Sequence, residues 1–279
     1  MATRSTIRIF SAAAVSDGAG VKLKRSIGLG PDNRLDPFLL LDEMDSEEGS
    51  DYLGGFPMHP HRGFETVTYM IEGKMRHEDS MGNSGLLVSG GAQWMTAGRG
   101  IIHSEMPEQE GGRLHGFQLW VNLPAADKMQ APRYQDIEPA RIPELDLGSG
   151  AHARLIAGQL ADGVGPVEGI GTQPLFVDLS LAENAHVEIP LPESHNAFVY
   201  CFEGAVRVGE DYVRDDHAAI LSSGGAARLH SDSGGRCLLL AAKPIGEPVV
   251  QHGPFVMNTS EEIDRAMAAY REGTFVDGG

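Results

Sequence analysis

His59 and His61 are one residue apart, and so, further along the chain, are His103 and Glu105. On a β-strand, side chains at i and i+2 leave the same face. If His59-Pro60-His61-Arg62-Gly63-Phe64-Glu65 opens on one strand and Ile101-Ile102-His103-Ser104-Glu105 forms another, each strand offers two donors. Facing each other, the two strands would close on a single ion. Three imidazoles and one carboxylate suit a divalent transition metal, Fe(II) first among them. Nickel, cobalt, manganese, copper and zinc also fit, whereas calcium and magnesium prefer oxygen. Four protein donors leave room on an octahedral ion for a substrate oxygen and dioxygen.

The elements that must hold these residues follow from the same stretch. Pro60 cannot donate to a ladder, so its strand belongs at a sheet edge or barrel mouth. Glu65 is the competing carboxylate: it lies about 13 Å beyond His61 if the strand continues. Glu105 is therefore the preferred ligand, and Glu65 a structural or supporting group. Phe56, Met58, Phe64 and Trp94, with Met95 and Phe117, could wall an apolar cleft for a flat aromatic molecule. His77, His115, His195, His217 and His230 have no second histidine at strand spacing and read as core or surface residues. Ser231-Asp232-Ser233-Gly234-Gly235 looks like a serine-protease nucleophile segment, but nothing else of that chemistry accompanies it. No phosphate-binding glycine loop or nucleophile elbow is present.

The chain has 279 residues, enough for two domains of ordinary size. Its formal charge of −17 disfavours direct contact with nucleic acid, and Lys22-Leu23-Lys24-Arg25 is too short to make a basic patch. Two cysteines, Cys201 and Cys237, exclude a disulfide framework and fit a reducing compartment. No apolar run is long enough for a membrane span, and the N-terminus lacks a signal core, so a cytoplasmic monomer is expected.

Thirty-six glycines between short apolar alternations favour strands and tight turns. Opening strands are expected around Ile7–Phe10, Val21–Ile27 and Phe38–Met44, with turns at Asp17–Gly20 and Gly30–Asn33. Val67–Ile71 and Arg76–Asp79 read as a hairpin closed at Glu72-Gly73. Prolines at 124, 132, 139 and 143 suggest an irregular connector over residues 124–150. A repeat is visible: Tyr69-Met70-Ile71-Glu72-Gly73 is echoed by Tyr200-Cys201-Phe202-Glu203-Gly204, and Leu87–Ala92 by Leu221–Ala226. These offsets place His59 on Pro190, His61 on Pro192, His103 on Cys237 and Glu105 on Leu239, so the second copy has lost every ligand. Thr259-Ser260-Glu261-Glu262 is a capping box opening a helix with Ile263, Ala266, Met267 and Tyr270 on one face, stopped by Gly273.

Two longer segments, Gly55-Phe56-Pro57-Met58-His59-Pro60-His61-Arg62-Gly63-Phe64-Glu65-Thr66-Val67 and Gln93-Trp94-Met95-Thr96-Ala97-Gly98-Arg99-Gly100-Ile101-Ile102-His103-Ser104-Glu105-Met106-Pro107, resemble the two signature segments of the pirin family in the cupin superfamily. Asp36–Asp42 and Met257-Asn258-Thr259 fit as well. The resemblance implies an all-β bicupin: two antiparallel β-barrel (jelly-roll, cupin) domains and a C-terminal helix. Residues 1–135 would be the metal-binding domain and 136–279 a degenerate one. The implied ligands are His59, His61, His103 and Glu105, with Glu65 displaced from the role that the glutamate after H-x-H has in ordinary cupins. Bacterial members are associated with quercetin 2,3-dioxygenase activity, O2-dependent ring cleavage of a flavonol with loss of carbon monoxide. On that pattern Glu105, or a carboxylate near it, takes the proton of the flavonol 3-hydroxyl. Eukaryotic members are associated with metal-dependent regulation of a protein partner, which implies the rival reading of a non-enzymatic metal or redox sensor. Met58 stands where an acidic residue is often found.

Overall fold

The computed structural model of the protein describes residues 2–30, 33–109 and 111–276. Among these, one α-helix accompanies twenty-five short strands. Pro31 and Asp32, within the turn expected at Gly30–Asn33, lie outside the described residues. The chain divides into two compact units. One holds Ala14–Arg25, Phe38–Pro139 and Ile245–Gly279, and the other Met1–Ala13, Ser26–Pro37 and Ala140–Pro244. A single cut after residue 135 does not describe this division. The first strand, Thr6–Ser11, pairs with His217–Leu221, while the C-terminal helix goes with the unit that carries the histidines.

In the histidine-bearing unit two antiparallel sheets are formed. The larger runs Arg133–Ile137, Ala92–Thr96, Phe64–Glu72, Leu114–Asn122, Phe38–Ser46, Val21–Ile27, Ala13–Asp17. The smaller runs Phe56–His61, Ile101–Pro107, Lys74–Asp79, Ser84–Val88. Phe56–His61 is thus an edge strand, the position that Pro60 demands. The hairpin expected at Glu72-Gly73 is instead a change of sheet. Phe64–Glu72 pairs with Ala92–Thr96 and Leu114–Asn122, and Lys74–Asp79 with Ile101–Pro107 and Ser84–Val88. Gly73, at φ +102°, makes the corner in a conformation that side chains disfavour. Met44, Tyr52, Met70, Met75 and Leu114 belong to one core cluster of this unit.

The other unit has one branched ten-stranded sheet, whose main path is Thr6–Ser11, His217–Leu221, Asn196–Val208, Gly235–Ala242, Leu175–Leu181, Ala151–Ala157, Glu144–Gly148. Ala185–Pro190 and Ala226–Ser231 pair with each other off this path. One core cluster of this unit is aliphatic and includes the buried free thiols Cys201 and Cys237, opposite each other on neighbouring strands. In neither unit do the strands close into a continuous hydrogen-bonded barrel; both are jelly-roll arrangements of open sheets.

Pairing patterns correct the repeat. Ala226–Ser231 pairs with Ala185–Pro190 as Ile101–Pro107 pairs with Phe56–His61. Since His103 is opposite His59 and Ala226 is opposite Pro190, the counterpart of His103 is Ala226 rather than Cys237. The echo of Leu87–Ala92 in Leu221–Ala226 compares the end of one strand with the end of a different one. The stretch 124–150 is likewise more regular than its prolines suggest. It contains Arg133–Ile137 and Glu144–Gly148, each an edge strand bounded by proline, which an edge tolerates. Ser231–Gly235 is a turn between two strands.

Candidate metal centre

Phe56–His61 and Ile101–Pro107 are antiparallel neighbours, with His103 directly opposite His59 and Ile101 opposite His61. Period-two alternation turns His59, His61 and His103 to one face, and their ring centroids form a triangle with sides of 4.6, 4.4 and 4.9 Å. One ring nitrogen from each lies within 4.8 Å of the others. His61 and His103 are buried, and His59 is half-buried at the edge.

The proton inventory suits a ligand set. His59 Nδ1 lies 2.9 Å from the Pro57 carbonyl and donates to it, which leaves the Nε2 lone pair facing His61 Nε2 at 2.9 Å. His103 Nε2 is buried with no hydrogen-bond partner. Burial, and then the neighbouring His59 ring, holds His61 well below the usual imidazole range; burial and the His61 and His59 rings do the same to His103. Neutral imidazoles with lone pairs converging in a dry place are what a borderline divalent transition metal binds, so the residues fit the ion.

Glu105 follows on the same strand after a bulge and is buried, but its carboxylate is not part of the three-histidine group. It is held by Thr68 Oγ1 at 2.7 Å and Gln118 Nε2 at 3.4 Å. Both come from the larger sheet, so Glu105 ties the two sheets together beside the histidines.

The four aromatic and apolar residues expected as walls are not brought together. Phe64 is one: its ring meets His61 edge-on at 5.1 Å and lies 4.4 Å from Trp120, which itself reaches His61 at 5.3 Å. Phe56 stands at the rim, 6.5 Å from the His59 ring. Met58 is 56% exposed, because it alternates with the histidines on an edge strand. Trp94 is fully buried on the other face of the larger sheet. It lies opposite Val67, whereas Thr68 and Phe64 face the histidines. Glu65 shares that far face, accepting from Thr96 Oγ1 at 2.7 Å. Burial pushes its carboxyl up to about 7, against the pull of Thr96 and the Trp94 indole.

Sequence reasoning missed two residues here, Trp120 and His77. His77 is buried, and its Nδ1 lies 3.3 Å from His103 Nδ1. Its partner sits on the neighbouring strand, where no spacing along one strand could reveal it. His115 also has a partner: Nε2 is 2.9 Å from the buried Glu43 carboxylate. With Asp45 these two form a second group of possible donors, but Asp45 is engaged by Arg113 at 2.7 Å.

Two jelly-roll units, one bearing converging histidines at the edge of its smaller sheet, define a cupin-type protein. The chain belongs to the pirin family: the Pirin profile matches residues 20–121, and the Pirin C-terminal cupin domain residues 176–276. It is 50% identical to a Pseudomonas aeruginosa protein provisionally named a quercetin 2,3-dioxygenase, over 97% of each chain. It is 42% identical to human Pirin, over 92% of this chain and 88% of that one. The crystal structure of quercetin 2,3-dioxygenase from Acinetobacter baumannii superposes with a TM-score of 0.92 at 34% identity, covering 98% of this chain and 99% of that one. No helix among the described residues is long and apolar enough to cross a membrane.

Proposed function

We propose that this protein is a metal-dependent dioxygenase of the quercetin 2,3-dioxygenase type, cleaving a flavonol ring with O2 and releasing carbon monoxide. The observation that carries the reading is the convergence of three imidazoles, two of them buried, beside a buried carboxylate and a Phe64–Trp120 wall. The relatives named for this activity support it. Held by His59, His61 and His103, with Glu105 as fourth donor, a divalent transition metal, iron first, would supply Lewis acidity and redox chemistry toward flavonol and dioxygen. Glu105 accepts the proton of the flavonol 3-hydroxyl, kept in place by Thr68 and Gln118. Phe64 and Trp120 pack the flat ring system and exclude water, with Phe56 at the rim.

The test is to purify the protein anaerobically, quantify its metal, and follow quercetin absorbance on adding oxygen, alongside His61→Ala. Turnover that tracks metal content and is lost in the variant is expected. Stoichiometric metal without turnover on any flavonol overturns the reading in favour of a metal or redox sensor acting on a protein partner.

A further inference from the structure

His103 has two ring nitrogens, and only one of them can serve an ion. Nδ1 faces His77, which leaves Nε2, buried without a hydrogen-bond partner, as the nitrogen to offer beside His59 and His61. For Nε2 to offer its lone pair, the ring proton must sit on Nδ1. The hydrogen-bond partner that the structure gives Nδ1 is His77 Nδ1, at 3.3 Å. That contact is only a hydrogen bond if one of the two nitrogens is bare. The two tautomers are therefore interlocked: with the proton of His103 on Nδ1, His77 accepts there and carries its own on Nε2, a buried atom with no other partner, and His103 Nε2 is free to bind.

We propose that His77 is a positioning residue that locks His103 in its metal-binding tautomer. This rests on the reading of the histidines as a metal centre. The surroundings hold His77 for the task. It stands directly opposite Glu105 in the strand pairing, is 3% exposed, and its ring meets those of His103 at 5.0 Å and Tyr134 at 4.7 Å. Histidine ligands elsewhere donate their second N–H to a carboxylate or carbonyl. Here the acceptor is a neutral ring, which fixes direction without adding a negative charge next to the ion. The carboxylates whose charge reaches His77 are engaged elsewhere: Glu105 with Thr68 and Gln118, Asp79 with the Met81 and Asn83 amides, and Asp136 with Gln93.

The experiment measures Co(II) affinity by chelator competition, in the full-length protein, for wild type, His77→Leu, His77→Asn and His77→Gln. Thermal midpoints of the metal-free proteins are taken in parallel. Asn places an acceptor oxygen where His77 Nδ1 stands, whereas Gln reaches instead toward the Nε2 position. The expected result is a loss of about 10- to 100-fold for Leu and Gln, the scale of a lost ligand-orienting partner, with most of it recovered by Asn. Affinity unchanged in all three variants overturns the proposal. Equal losses in Asn and Leu also overturn it, by reducing His77 to a packing role. Because the readout is metal affinity, absence of quercetin turnover would sink the dioxygenase reading while leaving this result standing. A wild-type protein with no affinity for Co(II) would sink both.

Discussion

Glu65 is four residues from His61, yet it is on the wrong side of a sheet to reach the histidines. Counting by twos along one strand would keep both on one face, but the strand ends at His61. The chain turns through Arg62 and Gly63, with Gly63 at φ +88°, and enters the larger sheet in a new phase. By contrast, His59 and His61 were legible because that pair sits within one strand, where alternation is rigid, and His103 joins them as the residue paired with His59, whereas a bulge intervenes before Glu105. Trp120 and His77 were not legible, since contacts across strands depend on register. Glu65 has a measurable consequence. Its carboxyl titrates near 7 when folded and near 4.5 when unfolded, so the folded state holds more protons between those values. Stability therefore falls as pH rises through that window, by up to about 3 kcal/mol for this group. Glu65→Gln should abolish that component. In urea unfolding at pH 4.5 and pH 8, the variant gains on wild type by up to that amount at the higher pH. A difference between variant and wild type that is independent of pH would refute the assignment.

Among the elements, the C-terminal segment explains much of the histidine motif that chemistry does not. Arg62 donates through Nη2 to the Phe275 carbonyl at 3.1 Å, its guanidinium lies over the Phe275 ring at 4.2 Å, and Nε bonds the Arg99 carbonyl. Its backbone exchanges hydrogen bonds with Pro254 and Val256. Lys128, buried and pushed down to about 8 by that burial, donates to the carbonyls of Gly63 and Val256 and to Asn122. Val256 in turn packs with Phe64, the ring against His61. So Arg62 and Gly63 seat a strap that backs the three histidines. The capping box and edge proline could be read locally, and Thr259 and Glu262 do cap the helix Ser260–Arg271. What the helix packs against could not. A Cβ on Gly63 would sit 2.0 Å from the Val256 carbonyl oxygen, at a φ that side chains resist. Gly63→Ala should therefore cost about 3 kcal/mol or more in urea unfolding. Gly111→Ala, in open space, should stay within about 0.5 kcal/mol of wild type. Equal effects at the two positions would mean that the strap does not press on Gly63.

At the scale of the whole molecule, the ends of the chain belong to opposite units. Arg4 is buried, donating to the carbonyls of Gly224, Ser222 and Pro192, and Thr6–Ser11 adds an edge strand beside His217–Leu221. Ile245–Gly279 completes the histidine-bearing unit instead. Composition and a short repeat register where a β-unit recurs, and two β-units were legible on that basis, their jelly-roll form only through the family resemblance. They carry no information on which distant segment fills an edge, because such pairings join residues some two hundred positions apart and are decided only when the sheets assemble. A cut by sequence halves thus removes from each unit a part it needs. A fragment of residues 1–135 keeps all three histidines and Glu105 but lacks the strap against Arg62, Gly63 and Phe64. It should show no cooperative thermal transition by near-ultraviolet circular dichroism and no tight Co(II) binding. A fusion of residues 14–139 to 245–279 through a flexible linker should recover both, at least in part. If the 1–135 fragment melts cooperatively and binds Co(II) as tightly as the full chain, the strap is dispensable and the histidines are held by the two sheets alone.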